Sequence, residues 1–142
     1  AAINMVITST GAGNAVTKVI PSLAGKLSAN AVRVPTANVS LAILKLTLNK
    51  GTSVEDMNTT MRDTALRGNL VNQINYQVDP ELVSTDIIGN TCCSVYDSNA
   101  TIVTDEGKDV VLYTWYDNEF GYTKQVIRLA KLIAKVRRLT YY

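Results

Sequence analysis

The distribution of apolar residues along the chain predicts three helices. Apolar residues recur at spacings of three and four in residues 12–20, 54–66 and 119–138. Polar residues occupy the opposite positions, as expected for helices that bury one face. Proline or glycine follows the first two stretches, and cations gather toward the end of the third, where they complement the helix dipole. The candidate capping residues are Ser9 or Thr10 for the first helix and Thr52 or Ser53 for the second.

Extended segments lie between these helices. Residues 39–48 give the clearest strand, because the even positions are apolar while Lys45 and Thr47 are polar, which predicts one buried face and one partly open face. Residues 69–82 have no periodicity and are predicted to be irregular. Shorter strands are predicted at 31–34, 83–88, 92–97, 100–103 and 109–115, with a hairpin turn at 105–107. Strands outnumber helices and turns join most of them, so the predicted fold class is α+β with a largely antiparallel sheet.

Composition narrows the class of protein. A chain of 142 residues with 46% hydrophobic and 18% charged residues predicts one soluble globular domain, residues 1–142. The net charge of +2 is too small to indicate nucleic-acid binding, and no apolar run reaches membrane-spanning length. The start lacks the layout of a signal peptide. The cations of the last helix form one stripe, interpreted as a solvated face. They are Lys124, Arg128, Lys131, Lys135 and Arg138.

The sequence offers few groups for acid–base or metal chemistry. It contains no histidine, which removes the commonest general base and the commonest metal ligand. Cys92 and Cys93 are adjacent within a predicted strand, where neighbouring side chains point to opposite faces, so a disulfide between them is not expected. We interpret both as reduced structural cysteines of a cytosolic protein. No nucleophile lies beside a base, and no metal-binding cluster is visible.

Two positions in the first quarter of the chain suit anion binding. The helix start Ser9-Thr10-Gly11 combines free backbone N–H groups, a hydroxyl and a glycine that lets a ligand approach closely. Simple helix capping is the alternative interpretation. Arg33 lies between two valines, so its guanidinium needs either an internal ion pair or a wet pocket, in which it could bind a phosphate through two parallel hydrogen bonds. A pocket formed by Thr10 and Arg33 together would bind a small molecule that carries phosphate.

A third candidate lies where the strand at 109–115 meets the last helix. Residues 115–122 concentrate aromatic residues, two acids and an amide at a strand-to-helix junction, where side chains can project into a site. Asn118 is either a helix N-cap or a group whose amide pairs with another amide. Asp117 and Glu119 are interpreted as surface or capping acids, not as acid–base catalysts.

Several motifs resemble, in order, those of glyceraldehyde-3-phosphate dehydrogenase, and the similarity covers residues 3–135. The motifs are Ser9-Thr10-Gly11-Ala12, Lys18-Val19-Ile20-Pro21, Gly25-Lys26-Leu27, Arg33-Val34-Pro35-Thr36-Ala37-Asn38-Val39-Ser40 and Trp115-Tyr116-Asp117-Asn118-Glu119-Phe120-Gly121-Tyr122. The resemblance implies a cytosolic, NAD-dependent glycolytic enzyme. That enzyme oxidises glyceraldehyde 3-phosphate through a cysteine thioester, which inorganic phosphate releases. It also implies a mixed sheet covered on one side by helices, and a homotetramer in which open sheet faces meet other subunits.

The resemblance also assigns site residues. The phosphate-binding threonine and glycine of the family fall on Thr10 and Gly11, and its phosphate-binding arginine falls on Arg33. The asparagine that contacts the nicotinamide carboxamide falls on Asn118, with Tyr116 and Tyr122 nearby. Tyr122 is therefore the second candidate for cofactor contact.

The chain lacks the catalytic residues and the cofactor-binding domain that the family pattern includes. The family's nucleophilic cysteine and histidine base lie upstream of the Thr-Gly motif, and this chain contains neither them nor the dinucleotide-binding domain. Neither Cys92 nor Cys93 matches the nucleophile. The chain is therefore expected to be a partial catalytic domain with no catalytic residue, inactive alone and a poor binder of NAD.

Two other functions remain open at this point. The first is a related dehydrogenase that acts on erythrose 4-phosphate and shares the Arg-Val-Pro-Thr stretch. That enzyme commonly has cysteine where Tyr116 stands, so Tyr116 favours the triose enzyme. The second is a non-catalytic module that serves assembly alone.

Overall fold

A computed structural model of the chain describes residues 3–104 and 106–136. The described residues group into two compact units, one that ends at Ala37 and one that begins at Asn38. The expectation of a single domain over residues 1–142 stays a prediction. Arg137 and Arg138, which the sequence places at the end of the last helix, lie outside the described residues.

The first unit is a two-stranded ribbon with a helix in the connection. Strand β1 (Val6–Ser9) pairs antiparallel with β2 (Asn30–Arg33), and helix α1 (Ala12–Val19) lies between them in sequence. A short 3₁₀ helix, Pro21–Leu23, follows α1, because proline cannot continue the α-helical hydrogen bonding. The helix and β2 confirm the sequence prediction. Strand β1 was not predicted, since four residues are too few to show a strand period.

The second unit contains five strands and two helices. Its strands are β3 (Ser40–Thr47), β4 (Ile74–Gln77), β5 (Ser94–Asp97), β6 (Ile102–Val103) and β7 (Asp109–Tyr116). Its helices are α2 (Val54–Leu66) and α3 (Asn118–Ile133), with a 3₁₀ helix at Ser84–Ile87. Helix α2 begins as the sequence predicts, because the Ser53 hydroxyl accepts a hydrogen bond from the N–H of Asp56 at 3.1 Å.

The sheet of this unit is mixed and largely antiparallel. The strand order is β3-β7-β5-β4, with β6 also paired to β7. Strands β3 and β7 pair antiparallel along their whole length, from Ser40 opposite Tyr116 to Thr47 opposite Asp109. Strands β4 and β5 are parallel. This mixed sheet with helices confirms the predicted α+β class.

The core lies on one face of this sheet. Alternation along β7 buries Val110 and Leu112, which join Tyr96 of β5 in one cluster. Met57 and Met61 of α2 pack against this cluster, as do Leu46 and Leu48. Burying each large apolar side chain stabilises the fold by about 1.5–3 kcal/mol. The even-numbered face of β3 is therefore only partly buried: Ala42 and Leu46 are half-buried, whereas Leu44 is 42% exposed.

Two segments differ from the sequence prediction. Residues 69–82, predicted to be irregular, contain β4, whose parallel partner β5 lies elsewhere in the chain and leaves no local signal. Residues 83–88, predicted to be a strand, form the 3₁₀ helix instead. The Asp86 carboxylate accepts a hydrogen bond from the N–H of Val83 at 2.9 Å, which stabilises the turn over the extended form. Within the described residues, no helix is long and apolar enough to cross a membrane.

Candidate functional site

Two strand-to-helix junctions contain the candidate site residues. The first junction, residues 9–12, connects β1 to α1 and contains Thr10 and Gly11. The second junction, residues 116–120, connects β7 to α3 and contains Asn118. They belong to different compact units, so each is described by itself.

The first junction is open. Gly11 is the N-cap of α1 and provides no side-chain hydrogen bond, while the hydroxyl of the half-buried Thr10 accepts from the N–H of Ala12 at 3.2 Å. The N–H groups of Gly13 and Asn14 have no hydrogen-bond partner among the described residues. A Cβ at Gly11 would meet no heavy atom within 4 Å. Thr10 therefore performs part of the capping, but the helix start keeps donors available for a ligand.

Arg33 lies at the far end of the same ribbon. It pairs with Val6, whereas Ser9, next to Thr10, pairs with Asn30. Thr10 lies four residues beyond Val6, the partner of Arg33, which is about 13 Å along the ribbon at the usual rise per residue. The pairing therefore does not bring Arg33 and Thr10 to one end of the ribbon, and their shared pocket stays a prediction.

The Arg33 side chain is available to a ligand. It is exposed, and it makes no ion pair with any residue in the described part of the chain. The internal ion pair considered from the sequence is therefore absent there. An exposed guanidinium that is not committed to a carboxylate can form two parallel hydrogen bonds to a phosphate.

The second junction is organised by a buried carboxylate. Asp117 is 1% exposed and is the N-cap of α3. Its Oδ1 accepts from the N–H groups of Glu119 at 2.9 Å and Phe120 at 3.1 Å. Its Oδ2 accepts from the N–H of Gly89 at 2.9 Å and the side-chain amide of Asn38 at 3.2 Å. One side chain thus joins the start of α3 to two segments distant in sequence.

These hydrogen bonds keep Asp117 ionised. The backbone N–H of Gly89, followed by that of Phe120, holds the pKa of the Asp117 carboxyl below its usual value, against the opposing effect of burial. The negative charge also lies at the positive end of the α3 dipole. Sequence reasoning treated Asp117 as a surface or capping acid; the capping role is confirmed, and the surface location is wrong because the Gly89 and Asn38 segments cover it.

The same network holds a strained residue. Val39 has a φ of 76°, which a β-branched side chain rarely adopts. Its N–H donates to Oδ1 of Asn38 at 2.7 Å, and Asn38 in turn donates to Asp117. The buried carboxylate therefore also stabilises the entry to β3.

Asn118 follows this network without being part of the cap. It is the first residue of α3, and it is exposed, so the N-cap alternative considered for Asn118 is wrong: Asp117 occupies that position. Tyr116 is half-buried and Tyr122 is 73% exposed. Both the Asn118 amide and the Tyr122 ring are therefore open to a ligand, at the start of a helix that Asp117 fixes.

The two cysteines lie just before β5, so the argument from opposite faces of a strand was wrong. Both are free; Cys93 is exposed, and its thiol donates to the carbonyl of Gln73 at 3.2 Å. Burial, together with the neighbouring Cys93, raises the pKa of the Cys92 thiol. A raised pKa lowers the thiolate fraction and disfavours nucleophilic chemistry. No group of three or more potential metal-binding side chains occurs within residues 3–104 and 106–136.

Comparison with known proteins identifies close relatives. The family described as glyceraldehyde 3-phosphate dehydrogenase, C-terminal domain, matches residues 1–118. A glyceraldehyde-3-phosphate dehydrogenase-like protein of Pseudomonas aeruginosa is 50% identical over 136 residues, which are 96% of this chain and 29% of that protein. Glyceraldehyde-3-phosphate dehydrogenase of Priestia megaterium is 46% identical over 94% of this chain and 39% of its own length. Glyceraldehyde-3-phosphate dehydrogenase 2 of Drosophila melanogaster is 47% identical over 92% of this chain and 39% of its own length. The chain thus spans well under half the length of the curated relatives it matches.

Proposed function

Because the chain belongs to the glyceraldehyde-3-phosphate dehydrogenase C-terminal domain family, we propose that it is part of an NAD-dependent phosphorylating glyceraldehyde-3-phosphate dehydrogenase. The whole enzyme would act in glycolysis in the cytoplasm, with glyceraldehyde 3-phosphate and inorganic phosphate as its substrates. The observation that carries the proposal is the open first junction, a helix start with free donors in the segment that holds the Thr-Gly motif.

The first unit supplies the groups that bind phosphate. In this proposal the Thr10 hydroxyl and the N–H groups at the start of α1 bind one phosphate, while Arg33 binds a phosphate through its guanidinium. The strand pairing separates Thr10 from Arg33 by about 13 Å along the ribbon. Such spacing suits a reaction with two phosphate-bearing reactants, a phosphorylated aldehyde and inorganic phosphate, better than it suits one shared phosphate.

The second unit supplies contacts to the nicotinamide side of NAD. The side-chain amide of Asn118 can both donate to and accept from a carboxamide, and the exposed Tyr122 ring offers a flat surface beside it. These residue types fit the nicotinamide carboxamide and ring. When bound, NAD accepts the hydride; the residues of this chain bind and orient. Asp117 acts as a positioning residue, because its bonds to Glu119 and Phe120 fix the helix turn that contains Asn118.

The outer face of the sheet supports assembly with other copies. Leu41 and Ile43 of β3 lie opposite Trp115 and Tyr113 of β7, on the face away from the core, and Ile43 is 59% exposed. Apolar patches of this kind mark interaction surfaces. We propose that this face contributes to a homo-oligomer, a tetramer in the whole enzyme. Light scattering on the chain at tens of micromolar should detect self-association, and a clean monomer would count against it.

The enzymatic proposal is tested on the full-length protein that contains this chain. We expect NADH formation from glyceraldehyde 3-phosphate and phosphate, and Arg33→Ala should raise KM for the phosphorylated aldehyde by about 10- to 100-fold. Arg67→Ala, which removes another exposed arginine, should leave KM unchanged. Faster turnover of erythrose 4-phosphate would assign the related dehydrogenase instead, and no turnover of either substrate would favour an assembly module.

The isolated chain should show no dehydrogenase activity. Nucleophile, base and cofactor domain are all expected outside residues 1–142, and binding groups alone cannot transfer a hydride. The measurement is NADH absorbance with purified chain, both substrates and NAD. Any NADH formed above the enzyme-free control would contradict the assignment of this chain as a non-catalytic partner in the reaction.

A further inference from the structure

A three-residue segment at the entry to β3 lies alongside the end of β7. Ser40 pairs with Tyr116 at one end of the β3–β7 ladder. Two residues earlier, the side-chain amide of Asn38 donates to Oδ2 of Asp117 at 3.2 Å. Residues 38–40, the entry segment, are therefore connected to two consecutive residues, the one that ends β7 and the one that caps α3.

The orientation of the Asn38 amide is set by its two partners. Its Oδ1 accepts from the N–H of Val39 at 2.7 Å, and the ionised carboxylate of Asp117 offers only acceptor oxygens. The NH₂ group must therefore face the carboxylate, because the opposite orientation would bring two oxygens together. Asn38 is half-buried and Asp117 is buried, so their hydrogen bond is less weakened by water than one on the surface.

The middle residue of the entry segment is strained. The φ of 76° at Val39 lies in the left-handed region, where a β-branched side chain is unfavourable and glycine or asparagine is usual. Both neighbours are held, Asn38 by Asp117 and Ser40 by the ladder. Strained backbone persists only where the surroundings fix it, and such residues concentrate at ligand sites. The strain therefore points to a functional role for the entry segment.

Asp117 connects the entry segment to the first turn of α3. Its Oδ1 accepts from the N–H groups of Glu119 and Phe120, so this turn is built around the carboxylate. A rotation of the carboxylate after loss of the Asn38 bond would change both of these hydrogen bonds. Asn118 lies between the cap and these two residues, and its exposed amide takes its position from them.

We propose that Asn38 is a positioning residue for the cofactor. By holding the Asp117 carboxylate, it sets the direction in which the Asn118 amide meets the carboxamide of the nicotinamide ring. Asn38 acts through Asp117 and not by contact with the cofactor. The inference rests on the cofactor contact proposed for Asn118, and it extends that contact to the entry segment of β3.

Equilibrium titration of the full-length protein with NAD and with ADP-ribose tests the proposal. ADP-ribose lacks the nicotinamide ring, so a residue that acts through Asn118 affects binding of NAD alone. We expect Asn38→Ala to raise the Kd for NAD by about tenfold, and the Kd for ADP-ribose by less than about twofold. Equal increases in both Kd values, or no increase in either, would overturn the proposal.

Asn58→Ala provides the matched control. Asn58 of α2 is also half-buried, and its amide donates to the carbonyl of Ser98 at 3.1 Å and accepts from the Tyr96 hydroxyl at 2.7 Å. The substitution removes a comparable pair of hydrogen bonds, so it should lower the urea midpoint of unfolding without raising the Kd for NAD. An increase in Kd equal to that of Asn38→Ala would mean that lost stability alone causes the effect, and would contradict the proposal.

A double-mutant cycle tests whether Asn38 acts through Asp117. Asp117→Asn alone should also raise the Kd for NAD. Adding Asn38→Ala to it should raise the Kd by less than about a further twofold, because the hydrogen bond between the two residues is already altered. Independent, multiplicative effects of the two substitutions would show that Asn38 acts by another route, and the proposal would be wrong.

NMR of the 142-residue chain tests the positioning without the cofactor. Asn38→Ala should lower the ¹⁵N heteronuclear NOE of Asn118, Glu119 and Phe120, whereas Asn58→Ala should leave these values unchanged. Unchanged values in Asn38→Ala would overturn the inference whatever the result with NAD. A full-length protein that binds neither NAD nor ADP-ribose would refute the proposed function, and the NMR result alone would then decide whether Asn38 positions Asn118.

Discussion

The two strand-to-helix junctions use the same local device and reach opposite results. In each, a polar side chain just before the helix accepts N–H bonds from its first turn. At the second junction the acceptor is the buried Asp117, which receives four hydrogen bonds. At the first it is the hydroxyl of the half-buried Thr10, which receives one and leaves neighbouring N–H groups without a partner among the described residues.

The difference separates a structural junction from a binding one. Both carboxylate oxygens of Asp117 accept hydrogen bonds from groups of the protein, which fixes the second junction. The group that remains available to a ligand there is its exposed neighbour Asn118. Thr10 and Gly11 leave donors and space, so the first junction is itself the candidate site. Whether a helix start is a binding site therefore depends on whether its first N–H groups already have acceptors within the protein, and not on the type of capping residue alone.

Removing the Asp117 charge should produce the largest effect on stability. In Asp117→Asn, an NH₂ group replaces one carboxylate oxygen and faces donors from Gly89 and Asn38 or from the start of α3. We expect a loss of about 2–4 kcal/mol in the free energy of unfolding, measured with urea.

A surface acid provides the control for this change. Asp63→Asn removes an exposed carboxylate whose ion pair with Arg62 is 3.9 Å long, so the expected loss is below about 0.5 kcal/mol. Equal losses in the two variants would show that the buried network does not dominate the second junction.

The Asp117 carboxylate should also make the free energy of unfolding depend on pH in the acid range. Its pKa is lower in the folded protein than in the unfolded chain, so its contribution is complete above the ordinary value of about 3.9 and is lost as pH falls through the lowered pKa. Urea unfolding between pH 7 and pH 2 should therefore show a smaller acid-dependent loss for Asp117→Asn than for the wild type. Parallel profiles would refute the role given to the charge.

Two glycines sharpen the comparison at a smaller scale. A Cβ at Gly121, in the first turns of α3, would lie 3.1 Å from the carbonyl oxygen of Cys92, whereas one at Gly11 would meet nothing within 4 Å. We expect Gly121→Ala to lower the free energy of unfolding by about 1 kcal/mol, and Gly11→Ala to change it by less than about 0.5 kcal/mol. The opposite order in thermal unfolding would contradict the packing described at these junctions.

Local signals in the sequence account for most of the fold. The hydroxyl of Ser53, the alternation along β7 and Pro21 after α1 each act within a few residues, and the elements they predict are present. Strand β4 was not predicted, because it is stabilised by pairing with β5, which is distant in sequence. Residues 83–88 have the composition of a strand, but a single Asp86 hydrogen bond closes a turn there.

The candidate site was less predictable for the same reason. Local residue chemistry made Thr10, Gly11, Arg33 and Asn118 candidates, and the motif resemblance assigned their ligands. Periodicity could have done neither. The importance of Asp117 was missed because its partners Gly89 and Asn38 lie 28 and 79 residues away. Aspartate before a helical pattern is a strong N-cap signal, and that signal favoured Asp117 over Asn118 for the cap.

Phosphate titration followed by NMR tests most directly whether the first junction is an anion site and the second is not. At low salt, the amides of Gly11 and Gly13 should shift while that of Gly89, committed to Asp117, stays in place, and Arg33→Ala should reduce phosphate binding in the first unit. Added salt should weaken the effect, because the site is exposed. If Gly11 and Gly13 do not shift, the first junction is not a phosphate site and the roles proposed for Thr10 and Gly11 are wrong. If Arg33→Ala leaves phosphate binding in the first unit unchanged, the role proposed for Arg33 is wrong.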